Sequence, residues 1–323
     1  MLVNGKWTAN WQPVQAKDEQ GRFVRQVSSF RNWVTADGAP GPTGTGGFKA
    51  EAGRYRLYVA LICPWASRTL IARKVKGLEE LIPVTVVNPV LTDEGWAFGG
   101  YPGSDEDPLH GAAYMHQLYT RADGDFTGRA TVPVLWDTKT ETIVSNESAD
   151  IVRMFDSAFA DLVPGKPSLY PADLAQEIDA LNAEIYDSLN NGVYKSGFAS
   201  TQAAYDEAVA GVFATLDKLE ARLSGKYLFG ARFTETDIRL FVTLIRFDAA
   251  YHGLFKTNLR RIADYPRLQA YMESVLRVPG VAETVDIGHI KAGYYSIKAL
   301  NPPGIVPVGP EHVLRLVAAA KGQ

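Results

Sequence analysis

The chain contains one cysteine, Cys63, and its position could make the thiol reactive. An extended apolar run at residues 54–62 precedes it, and Ala66, Leu70 and Val75 follow at helical spacing. The first amides of a helix lack intrahelical acceptors and the helix dipole is positive there, so a thiol at this junction is favoured as the nucleophilic thiolate. The alternative is that Cys63 is a buried, unreactive side chain, as many lone cysteines are.

The motif around the thiol, Cys63-Pro64-Trp65-Ala66, has alanine where a dithiol redox motif has its second cysteine. Because the sequence holds no other cysteine, an intramolecular disulfide and a cysteine-rich zinc site are excluded. A mixed disulfide formed on Cys63 must therefore be resolved by an external thiol. One cysteine suits a reducing cytosol, where we expect that thiol to be glutathione.

A second segment of interest, Thr131-Val132-Pro133, precedes a predicted strand. Bonds before proline are the usual place for cis peptides. A cis Pro133 would turn the backbone of Val132 towards a peptide-like ligand, for strand-like pairing. A trans Pro133 would be an ordinary proline at a strand edge, and the sequence leaves both conformations open.

A third segment, Glu147-Ser148, opens a predicted helix. Amides at a helix start bind carboxylates, Ser148 adds a hydroxyl donor, and Glu147 could accept an ammonium group. The pair suits the γ-glutamyl end of glutathione, which carries both charges. Simple helix capping by the same two residues is the alternative.

The elements that position these segments follow from the periodicity of the sequence. The N-terminal half is predicted to contain, in order, a strand at 54–62, a helix at 64–76, a strand at 81–87, a hairpin over 131–144 and a helix at 148–159. Residues 88–128 are expected to be irregular, since glycine recurs throughout them. This β-α-β order followed by a hairpin and a helix predicts a thioredoxin-like domain.

The C-terminal half is predicted to be a helical bundle, because apolar residues recur there at helical spacing. One helix is expected to begin at Thr234, with Asp237 as its partner in a capping box. The fold class is thus α/β plus all-α. The predicted divisions are an N-terminal extension at 1–50, a glutathione-binding domain at 51–165, a helical domain at 172–286 and a tail at 287–323 that is loop-rich at first.

Composition excludes several functional classes. A net charge of −3 over 323 residues gives no attraction to nucleic acid or anionic membranes. The stretch Met1–Val14 lacks the apolar core of a signal peptide, and no apolar run reaches the length of a membrane span. We therefore expect a cytoplasmic enzyme with no metal and no membrane partner.

Several motifs together resemble the glutathionyl-hydroquinone reductases, which are the Xi class of glutathione transferases and are related to the omega class. The similarity covers nearly the whole chain, including the N-terminal extension. The matching segments are 28–33, 57–70, 131–133, 146–148, 190–198, 289–295 and 301–307. Cys-Pro-Trp-Ala combined with the C-terminal segments is specific, whereas a Cys-Pro pair alone would not be.

The resemblance implies a mechanism in which Cys63 attacks the sulfur of a glutathionyl-hydroquinone. The ring leaves as a hydroquinone, Cys63 keeps the glutathionyl group, and a second glutathione releases glutathione disulfide. Tyr194 and Tyr295 match tyrosines that would hydrogen-bond the quinol oxygens, and Tyr294 is the alternative to Tyr295.

The resemblance also implies the residues that bind the co-substrate glutathione. Trp96 and Arg129 match residues that line its site, where Trp96 could stack on the peptide and Arg129 could pair with a carboxylate. Val132, Glu147 and Ser148 complete the set. The family further implies a homodimer.

Two other functions use the same fold. A generic omega-like thioltransferase or dehydroascorbate reductase would share Cys63 but would need no tyrosine-lined quinol pocket. A non-catalytic module that mediates assembly would not require the nucleophile, which is intact here. A conjugating transferase is disfavoured, because such enzymes place Tyr or Ser where Cys63 stands.

Overall fold

A computed structural model describes residues 1–8 and 16–322, which divide into two units. Within the described residues, the first unit comprises 1–8 and 27–168, and the second comprises 16–26 and 169–322. The first 50 residues, predicted as an extension, are thus divided between the units. Part of the stretch Met1–Val14 and the final residue of the tail lie outside the described residues.

The first unit is built on a four-stranded mixed sheet in the order β4-β3-β5-β6. A two-stranded hairpin of β1 and β2 accompanies it. The strands are β1 Leu2–Val3, β2 Lys6–Trp7, β3 Tyr55–Val59, β4 Val84–Val86, β5 Val134–Asp137 and β6 Thr142–Ser145. Strand β4 is parallel to β3, as a β-α-β unit requires, and β5 is antiparallel to both β3 and β6.

Three helices belong to this unit: α1 Pro64–Val75, α2 Met115–Ala122 and α3 Ser148–Ser157. Helices α1 and α3 pack together, and the buried Lys76 ammonium donates to Asp156 at 2.9 Å across them. The sheet and these helices confirm the predicted thioredoxin-like domain.

Helix α2 corrects the expectation that residues 88–128 are irregular throughout. The Gln117 side chain accepts a hydrogen bond from the Tyr114 amide at 3.0 Å, which caps the helix, and Leu118 and Tyr119 bury one face of it. The abundant glycines around this short segment concealed its helical spacing.

The second unit is helical, as predicted. Its α-helices are α4 Ala175–Ile185, α5 Gly192–Gly197, α6 Gln202–Arg222, α7 Glu235–Arg246, α8 His252–Leu254, α9 Pro266–Leu276, α10 Ile287–Tyr295 and α11 Glu311–Lys321. Two π-helical turns, Tyr186–Asn190 and Phe247–Tyr251, follow α4 and α7.

The tail corrects the sequence prediction at its start. It opens directly with α10 rather than a loop, because the Asp286 carboxylate caps that helix through the His289 amide at 2.8 Å. A loop follows, in which the buried Lys291 ammonium donates to the Val308 carbonyl at 2.7 Å.

Helix α7 lies at the centre of the second unit, and all of its residues are buried. Its predicted capping box is present, since the Thr234 amide donates to the Asp237 carboxylate at 2.8 Å. The same carboxylate accepts hydrogen bonds from the Leu228 amide and the Tyr271 hydroxyl, both at 3.0 Å. Burial raises the pKa of Asp237 to about 6, although these hydrogen bonds oppose the shift.

A pH-dependent stability follows from Asp237. Because its folded-state pKa is raised above the unfolded value of 3.8, its contribution is fully present below about pH 4 and is lost as pH rises through 6. Replacing Asp237 by Asn should therefore destabilise most near pH 4. We expect the destabilisation to shrink by on the order of 2 kcal/mol towards pH 7, as measured by urea unfolding at several pH values.

Asp264 provides the control for this prediction. It is an exposed capping carboxylate whose pKa is lowered to about 2 by hydrogen bonds from Arg261. Asp264→Asn should have a nearly constant effect between pH 5 and 7, because neither the folded nor the unfolded group titrates there. A destabilisation by Asp237→Asn that grows with pH would contradict this account.

Candidate active site

Cys63 occupies the N-cap of α1 in an extended conformation, with φ −73° and ψ 118°. Its Sγ accepts a hydrogen bond from the Ala66 amide at 3.5 Å, and Pro64 occupies the first helical turn, where a missing N–H costs nothing. The cysteine is partly exposed, so a substrate can reach the sulfur. This geometry provides the amide donor that a thiolate needs.

Two arginines on α1 have different surroundings. Arg68 is buried, and its guanidinium lies 4.4 Å from the centre of the Trp65 ring. Arg73 instead donates to the carbonyls of Ile82 and Glu79 at the C-terminal end of the helix, at 2.5 and 3.0 Å. Of the two, Arg68 is therefore the one placed in the helical turns next to Cys63.

The Val132–Pro133 bond is cis, which settles the alternative that the sequence left open. The Val132 carbonyl lies 3.5 Å from Cys63 Sγ, so this segment faces the thiol. The preceding residue, Thr131, is held by Tyr119 of α2, whose hydroxyl donates to the Thr131 carbonyl at 2.9 Å and accepts from its amide at 3.1 Å.

Glu147 is the N-cap of α3, where its carboxylate accepts from the Ala149 amide at 3.0 Å. Its other oxygen accepts from the Ser28 hydroxyl at 2.9 Å. Ser148 is buried at the first position of the helix. The capping alternative is therefore realised, and it leaves the Glu147 carboxylate with a fixed orientation.

Trp96 lies half-buried in the loop between β4 and α2. Its carbonyl accepts from the Met115 amide at 2.9 Å. On the other side of the loop, the Trp7 indole donates to the Asp93 carbonyl at 3.1 Å, and a side chain at Gly95 would lie 3.3 Å from the Trp7 ring. The N-terminal hairpin thus supports the loop that carries Trp96.

Arg129 is half-buried and follows a segment paired with the same hairpin. The backbones of Leu2 and Gly128 exchange hydrogen bonds of 2.9 and 3.1 Å, and the Asn4 amide donates to the Thr127 hydroxyl at 2.8 Å. One short hairpin therefore positions both the Trp96 loop and the segment leading to Arg129.

The second unit contains a chain of three tyrosine hydroxyls. Tyr294 Oη lies 2.6 Å from Tyr194 Oη and 2.7 Å from Tyr251 Oη. Tyr251 and Tyr294 are buried, and burial raises the pKa of both well above 10, so they remain protonated at neutral pH. Tyr194 is half-buried, and the guanidinium of Arg25 lies 5.0 Å from its ring centre.

Tyr295 lies outside this chain of hydroxyls. It is half-buried, and burial raises its pKa. Within the part of the chain that the structure describes, its hydroxyl makes no hydrogen bond to the protein. The two adjacent tyrosines thus differ, since the Tyr294 hydroxyl is used internally and the Tyr295 hydroxyl is available to a ligand.

Three residues that the sequence did not single out lie next to candidate residues or the segments that carry them, namely Trp7 and Tyr119 in the first unit and Tyr251 in the second. Tyr251 is one of fifteen tyrosines, and nothing in its local pattern marks it as a neighbour of Tyr194. Trp7 carried a weak signal, because a tryptophan in a polar N-terminal stretch needs a surface to pack on.

Within residues 1–8 and 16–322, no cluster of three or more His, Cys, Asp or Glu side chains could hold a metal ion. Over the same residues, none of the helices combines the length and apolar character needed to cross a bilayer.

Two family models match the chain. Residues 62–158 match the N-terminal domain of glutathione S-transferases, and residues 202–274 match the C-terminal domain of the same family. The two matches fall in the first and second units respectively.

Individual proteins with strong similarity extend this match to nearly the full chain. The glutathionyl-hydroquinone reductase YqjG of Escherichia coli is 53% identical over 96% of this chain and 94% of its own. Its glutathione-bound structure has a TM-score of 0.88 and covers 96% of this chain and 95% of that one. The glutathionyl-hydroquinone reductase PcpF of Sphingobium chlorophenolicum is 48% identical, with 97% of both chains covered.

A structure of the Xi glutathione S-transferase of Phanerochaete chrysosporium is also similar. It has a TM-score of 0.88 at 47% identity and covers 93% of this chain and 98% of that one. Full-length similarity at this identity confirms the resemblance that the motifs indicated. The chain therefore belongs to the glutathione S-transferase family, as a member of its Xi class of glutathionyl-hydroquinone reductases.

Proposed function

We propose that this enzyme reduces glutathionyl-hydroquinones to hydroquinones, with glutathione as co-substrate and Cys63 as nucleophile. The observation that carries the proposal is the placement of Cys63 Sγ at the start of α1, 3.5 Å from the Ala66 amide. Relatives that share about half of their residues with this chain are named for this activity.

The first half-reaction exchanges one bond to sulfur for another. The Cys63 thiolate attacks the glutathionyl sulfur, a sulfur–sulfur bond forms, and the bond between that sulfur and the aromatic carbon breaks. The thiolate is oxidised to a mixed disulfide while the ring carbon is reduced and takes up a proton. The Ala66 amide stabilises the attacking thiolate.

The second half-reaction restores the thiolate. A glutathione thiolate attacks the glutathionyl sulfur on Cys63 and leaves as glutathione disulfide. Because no second cysteine exists to compete, the mixed disulfide persists until glutathione arrives. This requirement supports a location in the cytoplasm, where glutathione is abundant and reduced.

The glutathionyl group is bound, in this proposal, by five residues of the first unit. Val132 pairs with the peptide backbone, and Glu147 and Ser148 take the γ-glutamyl end. Trp96 stacks on the peptide and Arg129 pairs with a carboxylate. The support is that Val132 faces the Cys63 sulfur and that the Glu147 carboxylate is held by Ser28.

The tyrosines of the second unit supply hydrogen bonds to the quinol oxygens. Tyr194 is the half-buried member of the group of hydroxyls that it forms with Tyr294 and Tyr251, and we assign its hydroxyl to the substrate because it matches a substrate tyrosine of the family. Tyr295 contributes a second donor, because its hydroxyl has no described partner in the protein. Both donors act most strongly as charge develops on the ring.

The first prediction concerns the nucleophile. Cys63→Ser should lower reductase turnover by on the order of 10³-fold or more, because serine is almost entirely protonated at neutral pH. Glutathione affinity should stay within a few-fold, since the side chain keeps its size. The measurement follows free hydroquinone released from a glutathionyl-hydroquinone, and near-normal turnover by the variant would refute the mechanism.

The second prediction concerns the quinol donors. Tyr194→Phe and Tyr295→Phe should each lower reductase turnover by about one to two decades, because each removes one hydrogen bond to a partly charged oxygen worth roughly 1.5–3 kcal/mol. Turnover of a small glutathionyl disulfide, which has no quinol oxygens, should change far less. The reductase reaction and the disulfide reaction are measured on the same preparations.

Tyr205→Phe is the control for these variants. The Tyr205 hydroxyl is used on the surface of the second unit, where it donates to the Lys256 carbonyl at 2.7 Å. Its loss should leave both activities unchanged. Equal losses on both substrates in the Tyr194 and Tyr295 variants would mean that these tyrosines shape the fold or the glutathione site. No loss on either substrate would leave the quinol pocket without its proposed donors.

The third prediction concerns assembly. We propose a homodimer, on the basis of the family to which the chain belongs. Sedimentation velocity at micromolar concentration should give the mass of two chains, and a monomer would refute the proposal.

A further inference from the structure

The hydroxyl of Tyr119 makes several hydrogen bonds close to the proposed glutathione-binding segments. Tyr119 is fully buried on α2. Its hydroxyl donates to the Thr131 carbonyl at 2.9 Å and accepts from the Thr131 amide at 3.1 Å. It also accepts from the Asn146 side-chain amide at 3.0 Å. A phenol has one donor and two acceptor positions, so all three are used.

The two residues that Tyr119 contacts each precede a proposed binding segment. Thr131 precedes Val132, whose carbonyl faces the Cys63 sulfur. Asn146 precedes Glu147, which caps α3. One hydroxyl thus joins Thr131 and Asn146, which are fifteen residues apart in sequence and lead into the segments proposed to hold the backbone and the γ-glutamyl end of one peptide.

The N-terminal segment around Phe30 also contacts Asn146 and Tyr119. The Phe30 amide donates to the Asn146 side-chain carbonyl at 3.1 Å, and the Asn146 amide donates to the Phe30 carbonyl at 3.2 Å. The Phe30 and Phe126 rings lie 5.7 and 5.1 Å from the Tyr119 ring. This aromatic packing therefore fixes the orientation of the Tyr119 ring and, with it, the position of the Tyr119 hydroxyl.

We propose that Tyr119 is a positioning residue for glutathione, which sets the spacing between the Val132 segment and the Glu147 segment through its buried hydroxyl. Glutathione is a flexible tripeptide that must place its sulfur against Cys63. If the two segments that contact glutathione are already ordered in the free protein, binding loses no conformational entropy in ordering them. This inference rests on the proposed function, because it assumes that these segments bind glutathione.

The test is the glutathione affinity of Tyr119→Phe, measured by isothermal titration calorimetry on folded protein. The substitution keeps the ring and its packing and removes the hydroxyl alone. We expect the glutathione dissociation constant to rise about tenfold or more, and the KM for glutathionyl substrates to rise more than kcat falls. The melting temperature should fall as well, because the Thr131 and Asn146 groups lose their partner.

Tyr55→Phe is the matched control, because it separates positioning from stability. Tyr55 is buried in β3 of the same unit, and its hydroxyl donates to the Lys49 carbonyl at 2.6 Å. This variant should also melt at a lower temperature, yet its glutathione dissociation constant should stay within about twofold of wild type. If Tyr119→Phe behaves like Tyr55→Phe, Tyr119 has only a structural role and the inference is overturned.

Asn146→Ala keeps the inference testable if Tyr119→Phe fails to fold. It breaks the link between Tyr119 and the Glu147 segment while leaving both bonds to Thr131, and it should weaken glutathione binding severalfold. Unchanged affinity in this variant would overturn the inference alone. A wild-type protein that does not bind glutathione would overturn the proposed function together with it.

Discussion

The proposed chemistry of the first unit depends on the hydrogen bond from the Ala66 amide to the sulfur of Cys63. This hydrogen bond exists because β3 ends just before Cys63 and α1 begins just after it, so the thiol caps the helix in place of a hydroxyl or carboxylate. Such an end provides unsatisfied amides and a positive dipole at no further cost. The reactivity that we propose for this thiol therefore follows from the β-α-β unit itself.

A single thiol imposes a second requirement on the molecule. With Ala66 in place of a resolving cysteine, the proposed reaction needs a second glutathione to attack the glutathionyl group on Cys63, and the binding segments must stay in place between the two steps. The structure stabilises these segments with residues from outside the thioredoxin-like core. Trp7 supports the Trp96 loop, and Ser28 holds the Glu147 carboxylate. These N-terminal residues thus support the proposed binding segments, although none of them is proposed to contact the thiol.

Much of this organisation could be predicted from the sequence, because it depends on local patterns. Helix α1, the parallel β3–β4 pair and the capping box at Asp237 each follow from spacing and residue type within a few turns of chain. Sequence similarity to relatives over nearly the full length of the chain then confirmed the family.

The remaining features depend on contacts that are distant in sequence. Tyr119 meets Asn146 only because α2 packs beside β6, and Tyr194 meets Tyr294 across a hundred residues. Neither pairing leaves a local signal, so the sequence could name Tyr194 as a candidate but could not distinguish Tyr294 from Tyr295. Helix α2 was missed for a different and local reason, since its capping depends on Gln117 rather than on the usual Ser, Thr or Asp.

The central claim is that Cys63 carries the glutathionyl group between the two half-reactions. The most direct measurement is intact mass spectrometry of the protein after reaction with one equivalent of a glutathionyl-hydroquinone in the absence of free thiol. Each chain should gain one glutathionyl unit at Cys63, one equivalent of hydroquinone should be released, and added glutathione should reverse the mass gain. Release of hydroquinone without any mass gain on the protein would contradict this claim.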